Sequence, residues 1–260
     1  LGSLSDYDVS DETVSNEMPE LERWVLHRLC ELDEKVQQGY DSYDFQGVFQ
    51  SIFTFATVDL SSFYFDIRKD VLYCDGDTIE RRSARTVLNL LFHRLTTWLA
   101  PILVFTMEEV WLERYPDKDS SVHLVDIPNT PSEWRDDKLA KKWSIVRNYR
   151  RLVTSALELQ RVDKVIGSSL EASPTVHVQD KDALSVLESV PFKDICITSD
   201  IKLTSANPPK DAYRSSEIDG AAVDFKKSVG TKCERCWKIL PDVGNFKHPS
   251  TCGRCSTALK

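Results

Sequence analysis

The 260-residue sequence contains no apolar run long enough to span a lipid bilayer. It has no glycine-rich phosphate loop, and its five histidines include no pair three residues apart. These absences argue against a membrane-spanning chain and against a nucleotide-binding motif of the familiar kinds. Methionine is also scarce, with two residues, and the first residue is Leu1. We therefore expect this chain to be a piece of a longer polypeptide.

Charge is distributed unevenly along the chain. The net charge of −8 would argue against a nucleic-acid partner, but residues 1–66 alone carry a net −11. Residues 131–165 carry a net +4, and residues 225–260 a net +6. An acidic body with two basic segments is compatible with RNA contact on one face. From charge alone, a solvated helix face with a basic tail explains the pattern equally well.

Four of the seven cysteines form two C-x-x-C pairs separated by fifteen residues. Cys233 and Cys236 form the first pair, and Cys252 and Cys255 the second. This spacing is typical of a tetrahedral zinc site, and four cysteine ligands leave no open position for a catalytic water. We therefore predict one structural Zn²⁺ ion, which a unit of this size needs because it cannot bury enough apolar surface to fold alone.

Two other interpretations of the cysteines remain. Two disulfides would suit a secreted protein, but Cys30, Cys74 and Cys196 would be left over, an odd number. Four cysteines also bind iron, and the sequence does not distinguish iron from zinc.

Apolar residues recur at helical spacing through most of residues 19–165, as in the series Leu21, Val25, Leu29, Leu32 and Val36. Asp77 and Glu80 form a capping box that predicts one helix start. Thr130-Pro131-Ser132-Glu133 predicts the start of a long basic helix. Five long helices with short connections indicate a bundle.

The pattern changes after Lys164. Residues 175–178 alternate as in a strand, residues 182–189 indicate a short helix, and residues 195–197 and 201–203 indicate further strands. The predicted fold class is therefore mainly α. It comprises a helical bundle (1–165), a small α/β junction domain (166–224) and a C-terminal zinc ribbon-like knuckle (225–260).

Separate segments of the chain resemble one known family. The run Ile166-Gly-Ser-Ser-Leu-Glu-Ala172, preceded by Glu158, Arg161 and Lys164, resembles the segment that follows the anticodon-binding bundle of isoleucyl-tRNA synthetases. The ending is similar to the C-terminal zinc unit of bacterial-type members, through Lys232-Cys-Glu-Arg-Cys-Trp237, Asp242-Val-Gly244 and Cys252-Gly-Arg-Cys255. Phe65-Asp-Ile-Arg-Lys-Asp-Val-Leu-Tyr73 is similar to the family's bundle motif, although Val71 stands where an arginine is expected.

The resemblance implies the C-terminal, tRNA-recognising part of a class I ligase of protein biosynthesis. Such an enzyme joins isoleucine to its tRNA using ATP. The family's HIGH and KMSKS motifs do not occur in the chain, and nothing resembles the editing domain. We therefore expect ATP to bind only in a catalytic domain outside this chain. We expect no catalytic residue here and an isolated chain without activity.

Basic and aromatic residues near the two basic segments are the candidates for RNA contact. They are Arg147, Arg150, Arg151, Arg161, Lys164, Lys232, Arg235, Trp237, Lys238 and Arg254. Lysine and arginine neutralise phosphates, and aromatic rings stack on unpaired bases. Trp237 has two interpretations: a stacking platform for a base, or a buried support for the metal knuckle.

The resemblance also implies partners and location. We expect binding to the anticodon stem-loop of isoleucine tRNA, docking on the catalytic domain of the same parent chain, no membrane association, a monomer and a cytoplasmic location. One alternative is a zinc-ribbon module on a helical scaffold that binds protein or nucleic acid. Another is a free-standing enzyme using Asp and Glu pairs, but no such pair has a His or Cys partner in a recognisable arrangement.

Overall fold

The computed structural model describes residues 2–5, 7–8 and 17–259. The chain divides into two compact units, Leu1–Leu139 and Ala140–Lys260. The mainly α fold class with a small α/β unit is confirmed. The domain limits at residues 165 and 224 stay predictions. Among the described residues, no helix is both long and apolar enough to cross a bilayer.

The described part of the first unit contains five α-helices, whereas the long basic helix predicted as part of the same bundle lies mostly in the second unit. The five are α1 (Glu20–Asp41), α2 (Phe45–Thr54), α3 (Asp66–Cys74), α4 (Ile79–Leu99) and α5 (Val104–Arg114). A π-helical segment, Phe55–Phe65, joins α2 to α3. Helix α1 packs against α2, the π-helical segment and α4, and α4 packs against α3 and α5. The apolar series predicted for α1 is buried throughout, because its spacing of three and four places it on one face.

Two predicted helix starts differ from the structure, the first by one residue and the second by about six. Thr78 caps α4, because its hydroxyl oxygen accepts a hydrogen bond from the backbone N–H of Arg81 at 3.2 Å. The long basic helix, α6, spans Asp137–Val162. Residues 132–134 form a separate 3-10 turn, and Asp136 accepts from the backbone N–H of Leu139 at 2.9 Å. In both places a side chain near the predicted cap satisfies the free N–H group instead.

The described part of the second unit contains most of α6, a three-stranded sheet and a small hairpin. The sheet order is β2 (Lys202–Thr204), β1 (Thr175–Val178) and β3 (Ala221–Asp224). Strand β1 is parallel to β2 and antiparallel to β3, with Val176 opposite Leu203 and Val223. Helix α7 (Lys181–Glu188) packs on β1 and β2, as a crossover between parallel strands requires.

The strand predicted at residues 195–197 was wrong. Phe192–Ile195 forms the short helix α8, in which the carbonyl of Pro191 accepts from the N–H groups of Asp194 and Ile195. Ile197 then adopts a φ of 56°, which ends the helix. Residues 195–197 looked like a strand because they are apolar. They are apolar because this turn is buried: Ile195 and Cys196 are both about 1% exposed.

A buried ion pair joins α1 to α3 in the first unit. The guanidinium of Arg68 donates from Nε and Nη2 to the two carboxylate oxygens of Glu22, each at 2.6 Å. The hydroxyl of Tyr64 donates to Glu22 Oε1 at 3.1 Å, and Glu22 is fully buried. Because both carboxylate oxygens are satisfied, the cost of desolvating the two charges is offset.

We expect the replacement of Arg68 with alanine to lower the free energy of unfolding by about 3–5 kcal/mol, because it leaves the Glu22 carboxylate buried without its cation. Urea unfolding monitored by circular dichroism measures the change. The matched control is Arg82→Ala, whose partner Asp77 is 77% exposed. This exposed pair contributes at most about 1 kcal/mol. Equal, small losses in both variants would contradict the assigned role of the buried pair.

Candidate metal centre and nucleic-acid interface

Two chain reversals bring the four C-terminal cysteines together. Strands β4 (Thr231–Lys232) and β5 (Ile239–Leu240) form an antiparallel hairpin, and Cys233 and Cys236 lie in its turn. Cys252 and Cys255 lie at the start of α9 (Gly253–Ala258). The backbone N–H of Glu234 donates to the carbonyl of Ser250 at 3.0 Å, which joins the two turns.

The hairpin needs glycine at its start. Gly230 has a φ of +133°, and a Cβ atom there would lie 2.4 Å from the backbone carbonyl of Leu240. A side chain at this position would therefore force β5 away from β4.

The four sulfurs fit a tetrahedral metal ion. All four cysteines are buried, and their Sγ atoms lie within 4.8 Å of one another. The Sγ atoms of Cys236 and Cys252 are 3.7 Å apart. Four thiolates at a Zn–S distance of 2.3 Å would stand about 3.8 Å apart. None of the seven cysteines is in a disulfide, and Cys30, Cys74 and Cys196 lie outside the cluster.

The surroundings lower the pKa of one cysteine thiol and raise the pKa of two others. Burial would raise the pKa of Cys233, but backbone N–H groups of Cys236, Cys252 and Arg235 donate to its sulfur and bring the pKa down to about 6. Burial raises the pKa of Cys255 to about 12, and it raises the pKa of Cys236 as well. Soft thiolates are the ligands that zinc and iron prefer, and binding such an ion releases the remaining thiol protons.

Trp237 lies directly after the first cysteine pair and is held open to solvent. Its φ is 65°, and its backbone N–H donates to the carbonyl of Cys233 at 2.9 Å. The residue is 61% exposed, so its indole is not a buried support for the knuckle. The ammonium of Lys232 lies 5.8 Å from the centre of the indole ring. A bulky residue in the left-handed region is uncommon, and here the turn presents an open aromatic face.

The basic residues around the knuckle differ in their contacts. Lys232 and Arg254 are exposed, whereas Arg235 is half-buried and donates to the carbonyl of Cys255 at 3.3 Å. The Lys238 ammonium is 12% exposed and donates to the carboxylate of Asp194 at 2.5 Å. This ion pair ties the hairpin to α8, so a phosphate contact by Lys238 would have to compete with Asp194.

The three candidate arginines in the middle of α6 also differ. Arg147 and Arg150 are half-buried, and Arg150 Nε donates to the carbonyl of Ile195 at 2.8 Å. Arg151 is exposed and pairs with Glu217, itself exposed, at 3.1 Å. An exposed pair exchanges readily with other anions, so Arg151 is the most accessible of the three for a phosphate.

Arg161 and Lys164 lie at the end of α6, beside the Ile166-Gly-Ser-Ser-Leu-Glu-Ala172 segment. Arg161 is exposed and pairs with Glu158 at 2.9 Å. Lys164 is exposed and has a φ of 58°. Both residues border a cavity of about 480 Å³.

Several residues that build these sites were not singled out from the sequence. Asp242 accepts from the N–H of Gly253 at 3.1 Å, and Ser199 accepts from the N–H of Ile239 at 2.7 Å. Glu171 lines the cavity and accepts from the N–H of Gly167 at 3.3 Å. Each side chain bonds to a backbone group, so sequence spacing carries no sign of the partner. Glu171 and Asp242 did have a signal, because both lie within segments that resemble the family.

Comparison with known families defines the class of protein. The model of the anticodon-binding domain of tRNA ligases matches residues 22–176, more than half of the chain. The chain therefore belongs to the family that carries this domain.

Relatives that match the whole chain include isoleucine–tRNA ligases. The chain is 61% identical over 260 residues to that of Ruegeria pomeroyi, 48% identical to that of Brucella abortus and 47% identical to that of Agrobacterium fabrum. All of this chain is covered, but it spans only 27% of the length of each relative.

The cysteine cluster predicts one bound metal ion per chain. We expect Cys252→Ser to lower the metal content to less than half an ion per chain, because three ligands hold a structural ion poorly. The measurement is elemental analysis of protein purified without chelators. Cys74→Ser is the matched control, since this buried thiol lies outside the cluster. A metal content that is zero in the unmodified chain would disprove the site.

Proposed function

We propose that this chain is the tRNA-recognition part of an isoleucine–tRNA ligase and that it binds the anticodon stem-loop of isoleucine tRNA. The observation that carries the proposal is the similarity of the whole of this chain to a part of isoleucine–tRNA ligases, together with the anticodon-binding family match. In this proposal, ATP and isoleucine react in the remainder of the parent enzyme. The part described here contributes binding and no catalytic residue.

In this proposal, different residues of the second unit contact the phosphates and the bases of the RNA. Arg151 and Arg161 form exposed ion pairs that a phosphate can replace, and Lys232 lies beside the indole of Trp237. Trp237 offers an exposed aromatic face on which an unstacked base can lie. Phosphate contacts position an RNA, whereas contacts to bases select its sequence. We therefore assign positioning to the arginines and base contact to Trp237.

The metal in this proposal is a single structural Zn²⁺ held by Cys233, Cys236, Cys252 and Cys255. When bound, it supplies a closed tetrahedral crosslink and no reactive position. The chain's own contribution is the turn that follows Cys236, which fixes the backbone of Trp237. The same binding surface is supported or extended by the remaining candidates, which are Arg147, Arg150, Arg235, Lys238 and Arg254.

A zinc-ribbon module that binds protein is the competing function. It accounts for the four C-terminal cysteines but not for the anticodon-binding family match, which ends at residue 176, before those cysteines. Titration of the chain with isoleucine tRNA and with a non-cognate tRNA separates the two functions. Equal, weak binding to both would overturn the proposed function.

We expect Arg151→Ala to weaken the binding of isoleucine tRNA and to reduce the slope of log K against log salt by about one, because one phosphate contact is lost. Fluorescence titrations at several salt concentrations give the slope. Arg82→Ala is the control, an exposed arginine in an ion pair outside the basic segments. The same slope in Arg151→Ala and Arg82→Ala would show that Arg151 does not contact RNA.

We expect Trp237→Ala to weaken binding about tenfold at every salt concentration and to leave the slope unchanged, because stacking releases few counterions. Trp237→Phe should retain most of the affinity, since it keeps an aromatic face. Metal content should stay at one ion per chain in both variants. Loss of the metal in Trp237→Ala would mean that the residue supports the knuckle rather than the RNA.

A further inference from the structure

A cavity of about 480 Å³ opens at the end of α6 and lies wholly within the second unit. Its lining includes two cations, two carboxylates and two aliphatic side chains: Arg161, Lys164, Glu158, Glu171, Val162 and Val165. The volume falls in the range of small-molecule sites. A lining that is part cationic, part anionic and part apolar matches a ligand with a phosphate, hydrogen-bond donors and a flat apolar face.

Lys164 occupies a backbone position that normally belongs to glycine. Its N–H donates to the carbonyl of Arg161 at 3.0 Å, and the next N–H, of Val165, donates to the carbonyl of Gln160 at 2.9 Å. These two bonds form a Schellman motif with Lys164 at its left-handed position, φ 58°. Lysine is strained there, whereas glycine is not. A side chain is therefore present at a position where glycine would suit the backbone better.

The ammonium of Lys164 can bind an anion, whereas the guanidinium of Arg161 is already in an ion pair. Arg161 is paired with Glu158 at 2.9 Å. Within residues 2–5, 7–8 and 17–259, no carboxylate lies within ion-pair distance of Lys164. An unpaired ammonium at the rim of a cavity is a binding point for a phosphate.

Glu171 faces the same cavity as a hydrogen-bond acceptor. Its Oε2 accepts from the N–H of Gly167 at 3.3 Å, which fixes the carboxylate beside the loop. A Cβ atom at residue 167 would lie 3.3 Å from Glu171 Oε1, so the absence of a side chain there leaves room for the carboxylate. Val162 and Val165 are 69% and 36% exposed, and they supply apolar surface beside it.

We propose that this cavity binds one unstacked nucleotide of the tRNA, with guanine as its base. Lys164 contacts the phosphate, Val162 and Val165 lie against the face of the base, and the Glu171 carboxylate accepts hydrogen bonds from its edge. Guanine fits best because its N1–H and N2–H₂ donors stand side by side and match the two oxygens of one carboxylate. This assignment rests on the proposed function, which it extends by one base-specific subsite.

The first test uses the full 260-residue chain and Lys164→Gly. Glycine suits the left-handed position, so we expect an equal or higher melting temperature. We expect affinity for the isoleucine anticodon stem-loop RNA to fall about tenfold and the salt slope to fall by about one. Lys210→Ala, which removes an exposed lysine from a loop outside the cavity, should change neither quantity.

The second test reads the base directly. Stem-loop RNAs are prepared in which one loop guanosine at a time is replaced by inosine, which lacks the N2 amino group. We expect one replacement to weaken binding to the unmodified chain by about tenfold and to have almost no effect on Glu171→Gln, as a double-mutant cycle requires. Glu171→Gln keeps the shape of the side chain, so the fold should be unchanged.

The outcomes separate this subsite from the proposed function. If the unmodified chain does not bind the stem-loop, the proposed function fails and the subsite fails with it. If the unmodified chain binds, but Lys164→Gly and Glu171→Gln respond to every RNA as it does, only the subsite is overturned. A uniform loss of affinity with a lowered melting temperature and no dependence on inosine would assign both residues a structural role, and it would also overturn the subsite.

Discussion

Four sulfurs meet within 4.8 Å at the end of the chain, and thiolates at that separation repel one another unless a cation lies between them. The hairpin of β4 and β5 contributes two of them and the start of α9 the other two. Otherwise a small number of hydrogen bonds joins these short elements, among them those of Glu234 to Ser250, Arg235 to Cys255 and Gly253 to Asp242. The closure of the four sulfurs therefore fixes the path of the chain on both sides, including the turn that exposes Trp237.

Two side chains of the second unit lie in the left-handed backbone region at the edge of a proposed contact. Lys164 ends α6 and Trp237 ends the first cysteine turn, with φ values of 58° and 65°. Each is exposed, and each costs local stability that glycine or asparagine would not. The surrounding hydrogen bonds hold the backbone in this conformation: a Schellman motif at Lys164, and the bond from the N–H of Trp237 to the carbonyl of Cys233 at the cysteine turn. Strain of this kind positions a charge or a ring without adding further contacts.

Ion pairs decide which basic residues remain accessible. Arg150 and Lys238 looked equivalent to Arg151 and Lys232 in the sequence, but they bind Ile195 and Asp194 inside the second unit. Arg68 binds Glu22 in the bundle core of the first unit. The number of lysines and arginines in the sequence therefore overstates the positive charge that is accessible to RNA. Only residues with exposed or replaceable partners contribute to it, because a buried charge that loses its partner is costly.

The sequence by itself determined the helical bundle, the small α/β unit and the grouping of four cysteines, because each depends on local spacing. Apolar periodicity predicted α1 and α4, and the C-x-x-C pairs predicted the cluster. Only the tertiary structure decided that Trp237 is open, that Arg150 is turned inward, and that residues 195–197 do not form a strand. It also brought Glu171 and Lys164 to one cavity. Arg150 is turned inward by a carbonyl 45 residues away, which spacing along the chain does not encode. The other outcomes depend on the exact path of a turn, as at Pro191–Ile195 and Cys233–Trp237, and residue types alone do not specify that path.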